Sequence, residues 1–308
     1  MKRPDFFLVG APKCATTAMT EYCSQHPELF IPRLRQKDIP FFGDDLHRSR
    51  PKESLDEYLA YYREALPTQR AGEACVWYMY SSSAPTDIRA FAPNAQIVII
   101  LRNPVDMVYS QHSQLVYTQD EDIHDFAEAL EAESDRRAGR RDTPMTGNVP
   151  KEAYYYTFLG EYSSHVARYF KVFGRDRVHV VIYDDLRDDT SSSVVETFRE
   201  LGVDPAAPID FRVVNASKVA RSNRLQRMIQ NPPARLVSIY RAATPERAHG
   251  ELAHALVRIN TRYQARPPMP RETRRILQRR FLPDVERLSS VLGRDLTGWC
   301  TEPTDVVG

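Results

Sequence analysis

The sequence predicts an α/β fold in which a mostly parallel central sheet is covered by helices on both faces. Three short apolar runs have the composition of buried strands: Asp5 to Val9, Ile97 to Leu101, and Val178 to Tyr183. The stretches between them carry apolar residues at helical spacing, so strands and helices alternate along the chain. Ligands of such folds bind beyond the carboxyl ends of the strands, and we therefore look for a site in the segments that follow these runs.

Size and charge limit what the chain can be. Its 308 residues, 42% of them apolar, fit one large domain. We predict a single domain over residues 1–308, with 224–308 forming a helical portion packed on the rest. The net charge is only +1. Proteins that bind nucleic-acid backbone usually carry a basic excess, so we expect no nucleic-acid partner, and an anionic ligand must be met by a local cluster of cations.

Cysteine usage and the apolar runs bear on where the protein works. The chain has four cysteines, at Cys14, Cys23, Cys75 and Cys300. They form no CxxC pair, which favours reduced thiols over disulfides or a zinc site. The apolar run Phe6 to Val9 is too short for a signal peptide, and Ile97 to Leu101 is far too short to span a membrane. We expect a cytoplasmic protein without a membrane span, of unknown oligomeric state.

Capping signals and apolar spacing predict the helices. Helices are expected from Thr16 to about His26, Ser54 to Tyr62, Val105 to Tyr117, Asp122 to Arg137, Leu159 to Phe173, and Phe281 to Leu292. Ser54 with Glu57 and Ser193 with Glu196 have the spacing of capping boxes. A strand edge is expected from Gly72 to Tyr78. The segment Ala138 to Lys151 is predicted to be a mobile, solvated loop, or else a cover for a substrate. Four basic residues lie at or just before its start: Arg136, Arg137, Arg140 and Arg141.

The segment Gly10 to Thr17 lies between the first strand and the first helix, where backbone N–H groups and the helix dipole favour an anion. Thr16 and Thr17 add hydroxyls, and Lys13 adds a positive charge on a flexible stem. The pattern departs from the P-loop GxxxxGK[ST], because Ala15 replaces the second glycine and Thr16 stands where the lysine belongs. A kinase would therefore lack its lysine. A turn that binds no ligand is the other alternative.

The residues Pro-Lys-Cys-Ala-Thr-Thr, from Pro12 to Thr17, resemble the 5′-phosphosulfate loop of sulfotransferases that use 3′-phosphoadenosine 5′-phosphosulfate (PAPS), whose usual form is PKxGTT. The resemblance implies a P-loop-like three-layer fold and a metal-independent enzyme that moves a sulfuryl group from PAPS to a hydroxyl or an amine, releasing PAP. It assigns donor binding to Lys13, Cys14, Ala15, Thr16 and Thr17. Ala15 stands in place of the family's glycine.

A second motif, from Val98 to Ser110, reads as a strand, an arginine, a proline turn and a helix. It is similar to the family's 3′-phosphate element, in which an arginine at the strand end and a serine eight residues later bind the phosphate. Arg102 and Ser110 fall at that spacing. The chemistry is reasonable, because a guanidinium offers a fork of donors and the serine adds a hydroxyl.

Two later segments resemble bacterial sulfotransferases. In the segment 215–222, Lys218 and Arg221 would meet a nucleotide phosphate, although a solvated basic helix face is an equal alternative. The segment from Gly293 to Trp299 resembles the closing segment of the same group, and Trp299 is expected to be a packing anchor.

Sulfuryl transfer needs a cation at the departing phosphate oxygen and a base for the acceptor. Lys13 is our candidate for the cation. Three residues are candidates for the base: Asp38, in a segment that resembles the family's KExxFF, then Glu73 at a strand end, then His112 on a helix. Each has a structural alternative. Asp38 could cap a turn, Glu73 could neutralise an arginine, and His112 could be an ordinary helix-surface residue.

The acceptor is left open as a small molecule, a glycolipid or a carbohydrate, because acceptor pockets are built from variable loops. Two functions of other classes also remain. A P-loop-type kinase would bind ATP and depend on magnesium. A non-catalytic nucleotide-binding protein would bind PAP without turnover.

Overall fold

The computed structural model describes residues 2–32, 40–46, 52–144, 149–211, 218–220, 260–263 and 266–301, and every structural statement below concerns these residues. The strands are β1 Phe6–Leu8, β2 Leu29–Phe30, β3 Arg70–Ala74, β4 Gln96–Leu101, β5 Val178–Ile182, β6 Lys218–Ala220 and β7 Thr261–Tyr263. The first five form one parallel sheet in the order β2-β3-β1-β4-β5, and β6 and β7 form an antiparallel pair.

The helices are α1 Thr16–Gln25, α2 Leu55–Ala60, α3 Ala84–Phe91, α4 Pro104–Thr118, α5 Phe126–Arg137, α6 Tyr156–Gly160, α7 Tyr162–Phe173, α8 Tyr183–Asp188, α9 Thr190–Glu200 and α10 Arg271–Leu292. Turns of 3₁₀-helix occur at Val76–Tyr80, Lys151–Tyr154, Arg175–Arg177 and Thr297–Cys300. The predicted α/β fold with a parallel central sheet is thus confirmed. None of the described helices is both long enough and apolar enough to cross a membrane.

The centre of the sheet is formed by β1, which lies between β3 and β4. Its residues and those of β4 from Ile97 onward are almost wholly buried, as expected for strands covered on both faces. The chain leaves β1 through Gly10, where a Cβ atom would lie 2.0 Å from the backbone nitrogen of Ile100. The next residue, Ala11, donates its N–H to the Ile100 carbonyl at 3.1 Å. Glycine therefore lets the loop after β1 run directly against β4.

Several predicted elements agree with the structure. Helix α1 covers the range expected after the first loop, and α4 starts at Pro104 as expected. The capping box of Ser54 and Glu57 is present at the start of α2.

Several boundaries were wrong. The helix expected from Phe281 begins at Arg271, and the helix expected over Leu159 to Phe173 is divided at Glu161 into α6 and α7. The strand expected over Gly72 to Tyr78 ends at Ala74, and a 3₁₀ turn follows, because all five residues Val76–Tyr80 turn inward rather than alternating between two faces. Helix α9 begins earlier than the Ser193 box implied, since Asp189 is its cap and accepts the N–H of Ser192 at 3.0 Å. Helix α5 begins at Phe126, because Asp125 takes the cap position.

The expectation that Arg136 belongs to a solvated loop was also wrong. Its side chain is fully buried at the end of α5, and its guanidinium donates two hydrogen bonds to Glu121, at 2.8 and 2.6 Å. Arg137 is the last residue of α5, while Arg140 and Arg141 are exposed beyond it. Residues 145–148 of the predicted loop lie outside the described residues.

Helix α10 packs on the body of the protein. The N–H of Ser163 in α7 donates to Asp284 at 3.0 Å, and Arg274 pairs with Asp106 of α4 at 2.8 Å. Trp299 is buried and its indole N–H donates to Asp184 at 3.0 Å. Much of 224–308 lies outside the described residues, so the single-domain arrangement stays a prediction.

Candidate active site

The loop between β1 and α1 contains two residues in the left-handed backbone region. Lys13 has φ of 60° and Ala15 has φ of 65°. A residue with a Cβ atom costs about 1–2 kcal/mol in this conformation, so the loop is strained at both positions. Such strain is found where a local arrangement serves a site.

The start of α1 lies at the carboxyl edge of the sheet. Ala15 occupies the N-cap position and offers no side-chain acceptor to the first-turn N–H groups, and the first turn carries no acidic residue. Thr16 and Thr17 are half-buried in that turn. Helix N–H groups without a capping side chain attract anions, and here two hydroxyls stand beside them.

Lys13 is held at both ends. Its carbonyl accepts a hydrogen bond from the guanidinium of Arg102 at 3.3 Å. Its ammonium donates to Oε1 of Gln114 on α4 at 2.9 Å. The loop after β1, the end of β4 and the middle of α4 are therefore tied together at this lysine.

A second contact joins α4 to the C-terminal region. The guanidinium of Arg266 donates to the hydroxyl of Ser110 at 2.8 Å and lies over the ring of Tyr109, 5.2 Å from its centroid. The Tyr109 hydroxyl in turn donates to the carbonyl of Pro267 at 3.1 Å. Burial lowers the pKa of Arg266, and the nearby positive charge of Arg102 adds to this effect.

The side chains of Lys13, Arg102, Ser110 and Arg266 thus form one group, which we call the cationic cluster. Arg102 also lies over the ring of Tyr183, with its Cζ 4.6 Å from the centroid. Among the described residues, no carboxylate is within ion-pair distance of the guanidinium of Arg102 or Arg266. Asp106 acts on Arg266 from beyond ion-pair distance, but two like charges with no directly paired carboxylate are unfavourable, and a bound anion would reduce this cost.

Cys14 contributes to the loop in a different way from its neighbours. Its side chain is fully buried, and the thiol donates to the carbonyl of Pro12 at 3.4 Å. Burial raises the pKa of this thiol to about 12, although the charge of Arg102 acts in the opposite direction. The thiol therefore stays neutral and packs in the core, and Cys14 contributes only its backbone to the surface of the loop.

Glu73 lies near the end of β3 in a buried position. Its carboxylate accepts hydrogen bonds from the hydroxyls of Tyr58 and Tyr78. Burial and the charge of Glu73 raise the pKa values of both tyrosines far above the ordinary range, so both remain donors. The Tyr78 hydroxyl also accepts the backbone N–H of Phe41 at 2.9 Å. Among the described residues, two phenols donate to this carboxylate.

His112 lies in the core rather than on a helix surface. It is 3% exposed, and its Nε2 is 2.8 Å from the carbonyl oxygen of Ile123. The ring packs against Phe126 and Tyr156, with centroids 5.2 and 5.8 Å away. Burial lowers its pKa, although the bond to Ile123 opposes this, and the ring is a neutral packing group at physiological pH.

The structure therefore brings Lys13, Thr16 and Thr17 into one region with Arg102 and Ser110, although these residues are up to a hundred positions apart. Cys14 and Ala15 belong to the same loop, whereas Glu73 and His112 have the separate surroundings given above, and the strand β6 contacts α4. Asp38 and Arg221 lie outside the described residues, and Lys218 is described only as the first residue of β6.

Sequence reasoning missed two residues of this region. Gln114 follows Ser110 by four positions on α4, and this helical spacing would have put both on one face. Arg266 stands before Pro267 and Pro268 and belongs to none of the motifs above. It meets Ser110 across 156 positions, and no local pattern could have connected them.

Comparison with known proteins assigns the family. The family model described as "Sulfotransferase domain" matches residues 3–240. The chain belongs to the sulfotransferase domain family. The predicted family is thereby confirmed, and membership supports sulfuryl transfer as the reaction while not favouring the kinase or non-catalytic alternatives. Arg266 lies beyond the residues that the sulfotransferase model matches.

Among curated relatives, the chain is similar to two human proteins of one kind. It is 25% identical over 209 residues to "Bifunctional heparan sulfate N-deacetylase/N-sulfotransferase 2" and 25% identical over 210 residues to number 3 of the same series. Each match covers 66% of this chain and 22% of the human protein. The sulfotransferase chain thus spans about a fifth of the length of these relatives.

Among solved structures, the chain is similar to a sulfotransferase from Alicyclobacillus acidocaldarius. The two are 25% identical, with a TM-score of 0.72, and the match covers 98% of this chain and 100% of the other. The likeness of the folds therefore extends along nearly the whole of both chains.

Proposed function

We propose that this protein moves a sulfuryl group from PAPS to a hydroxyl or an amine of a carbohydrate, glycolipid or small-molecule acceptor and releases PAP. The observation that carries the proposal is the cationic cluster, in which Arg266 feels the charge of Arg102 and no described carboxylate lies within ion-pair distance of either guanidinium. It lies beside the strained loop that starts α1. Two neighbouring anion sites fit a donor with phosphate at both ends of its ribose.

The two ends of the donor are assigned to different parts of the cluster. Arg102, Arg266 and the hydroxyl of Ser110 would hold the 3′-phosphate, since guanidinium groups suit phosphate oxygens. The N–H groups of the α1 first turn, with Thr16 and Thr17, would hold the 5′-phosphosulfate. Lys218 and Arg221 remain predictions for the nucleotide phosphates.

In the proposed reaction, the bond between sulfur and the 5′-phosphate oxygen breaks while a bond forms between sulfur and the acceptor oxygen or nitrogen. The acceptor loses its proton to a base, and PAP leaves with the bonding electrons on its phosphate oxygen. Lys13 would stabilise that charge through its ammonium. Such placed donors account for much of the catalysis in group transfer of this kind.

For the base we propose Asp38, with Glu73 and His112 in supporting roles. Glu73 already accepts hydrogen bonds from two buried tyrosines, and Tyr78 links it to the backbone of Phe41, in the segment that contains Asp38. This favours a role for Glu73 in positioning that segment. The bond of His112 Nε2 to a backbone carbonyl in the core favours a packing role for the histidine.

An amine-bearing carbohydrate is our leading acceptor. The support is the similarity to relatives named as heparan sulfate N-sulfotransferases. A cytoplasmic location and a single domain are also parts of the proposal. The proposed mechanism needs no metal, because cationic side chains supply the neutralising charge.

The donor is tested by calorimetry with PAP, without metal, on the wild type, Lys13→Met and Arg102→Met, and with ATP and magnesium in place of PAP. We expect tight binding of PAP and weaker binding of ATP. Arg102→Met should weaken PAP binding about 10- to 100-fold, since a hydrogen bond to a charged group is lost. Preference for ATP with magnesium, or indifference to Arg102→Met, would overturn the proposal.

The reaction is tested with PAPS labelled in its sulfuryl group. Acceptors would be N-deacetylated heparosan, which carries free amines, and N-acetylated heparosan as its matched control. Label on the deacetylated polymer alone supports transfer to an amine, and label on both supports transfer to a hydroxyl. Lys13→Met should lower the rate about 100- to 1000-fold, because a donor to the developing charge is removed. An unchanged rate would contradict the role of Lys13.

A further inference from the structure

Gln114 faces the loop after β1 from one turn beyond Ser110 on α4. Its Oε1 atom accepts a hydrogen bond from the Lys13 ammonium at 2.9 Å, across 101 positions of the chain. Both side chains are half-buried. Since Ser110 and Gln114 are four residues apart, one face of α4 meets Arg266 through the first and Lys13 through the second.

The backbone of Lys13 is restrained as firmly as its side chain. Lys13 adopts the left-handed conformation with φ of 60°, and the guanidinium of Arg102 donates to its carbonyl at 3.3 Å. A long lysine stem still leaves the ammonium many rotamers. The contact with Gln114 reduces this freedom at the end of the stem that would act on the substrate.

The chemistry of an amide suits this task better than that of a carboxylate. A neutral oxygen accepts from an ammonium less strongly than an anionic oxygen does. Lys13 can therefore rest on Gln114 and still transfer a hydrogen bond to a phosphate or sulfuryl oxygen. A carboxylate at the same position would compete with the substrate for the lysine.

We infer that Gln114 is a positioning residue, which holds the Lys13 ammonium at the reacting oxygen without binding the nucleotide itself. The inference rests on the proposed function, because it assigns Lys13 to the departing oxygen. It adds that α4 couples the two ends of the site, with Ser110 on the 3′-phosphate side and Gln114 on the sulfuryl side.

The test follows PAP release from PAPS alone, with water as the sulfuryl acceptor and inorganic sulfate as the second product. Gln114→Ala should lower the rate at saturating PAPS about tenfold, the effect of one charge-assisted hydrogen bond. The KM for PAPS and the Kd for PAP should stay within about twofold of wild type, since the ground-state contacts of the nucleotide are kept. Gln114→Glu has nearly the same shape and should be at least as slow, because its carboxylate holds the lysine.

The same substitution of Gln114 is then made in the Lys13→Met variant, to test whether Gln114 acts through Lys13. If Gln114 acts through Lys13, adding Gln114→Ala to Lys13→Met changes the rate no further, whereas independent roles give multiplied losses. Ser113→Ala is the matched control. Its hydroxyl donates to the Tyr109 carbonyl within α4 at 2.8 Å, and the variant should turn over like the wild type.

The outcomes separate the two ideas. A wild type that releases no PAP, either with water or with the two heparosan acceptors, would sink the proposed function, and the inference with it; if only an acceptor supports release, the same variants are compared with that acceptor. A wild type that releases PAP, with Gln114→Glu equally active or with multiplied losses in the double variant, overturns the inference alone.

Discussion

Arg136 and Arg102 both place a guanidinium inside the protein, but the charged side chains around them have opposite signs. Arg136 is fully buried and is matched by the carboxylate of Glu121, which also accepts the Tyr156 hydroxyl at 2.7 Å. Arg102 is half-buried, and its described charged neighbours are Lys13 and Arg266. The first arginine is neutralised within the chain, whereas the second is grouped with other cations.

The contrast separates charge used for the fold from charge reserved for a ligand. A buried ion pair costs much to break from one side, because the remaining charge is left uncompensated. In a cationic cluster, removing one member costs little stability, because it relieves repulsion in the free protein. It lowers the affinity for an anion, because a contact to that anion is lost. Stability and affinity should therefore respond oppositely to the same substitution at the two places.

The largest effect is expected from Arg136→Met. The variant leaves Glu121 buried without its cation, and the free energy of unfolding should fall by about 3–5 kcal/mol. Urea unfolding followed by circular dichroism measures it. Arg102→Met removes the same group and should change the free energy of unfolding by less than about 1 kcal/mol. Equal losses in the two variants would erase the contrast.

The pH dependence of stability sharpens the same contrast. Burial would raise the pKa of Glu121, but hydrogen bonds from Arg136, the Ile123 N–H and Tyr156 outweigh it and lower the pKa from 4.5 to about 2. Its contribution is thus fully present above about pH 4.5 and is lost as the pH falls towards about 2. Urea unfolding across this range should show a shallower decline for Glu121→Gln than for wild type. Parallel declines would mean that another carboxyl controls the acid limb.

A smaller effect is expected on the other side of the comparison, at Arg266. Arg266→Met should raise the Kd for PAP about tenfold or somewhat more, because a charged hydrogen-bond donor to the phosphate is lost. Its stability should be unchanged or slightly greater, because the repulsion between Arg266 and Arg102 is removed. Calorimetry with PAP and thermal melting give the two readouts. Arg280→Met is the control, because Arg280 is paired with Glu161 at 2.9 Å, and this variant should bind PAP normally. Unaltered PAP affinity in Arg266→Met would remove it from the site.

The smallest effect is expected from Ala15→Gly, which relieves a left-handed alanine at φ of 65°. The free energy of unfolding should rise by up to about 1 kcal/mol. The rise is limited because glycine loses more backbone entropy on folding than alanine does. Ala18→Gly, in the interior of α1, should change it by about the same amount in the opposite direction. A destabilised Ala15→Gly variant would show that the methyl group packs favourably in the loop.

Local patterns in the sequence predicted much of the fold and part of the site. The loop after β1 was found because a strand, small residues, a lysine and a helix start follow one another within a few positions. Boundaries failed where packing overrode the pattern, as at Val76–Tyr80, whose side chains all enter the core. Arg136 was misread because its partner is 15 positions away and its position in space is set by α5.

The sequence by itself determined the alternation of strands and helices, the anion-binding form of the first loop and the spacing of Arg102 and Ser110, since each depends on neighbours along the chain. The tertiary structure decided which charges are left for a ligand. Arg136 meets a carboxylate, Glu73 meets two phenols, and Arg266 comes to Ser110 from 156 positions away. Such pairings arise only when separate elements pack together, because burial selects the partner that each charge will have.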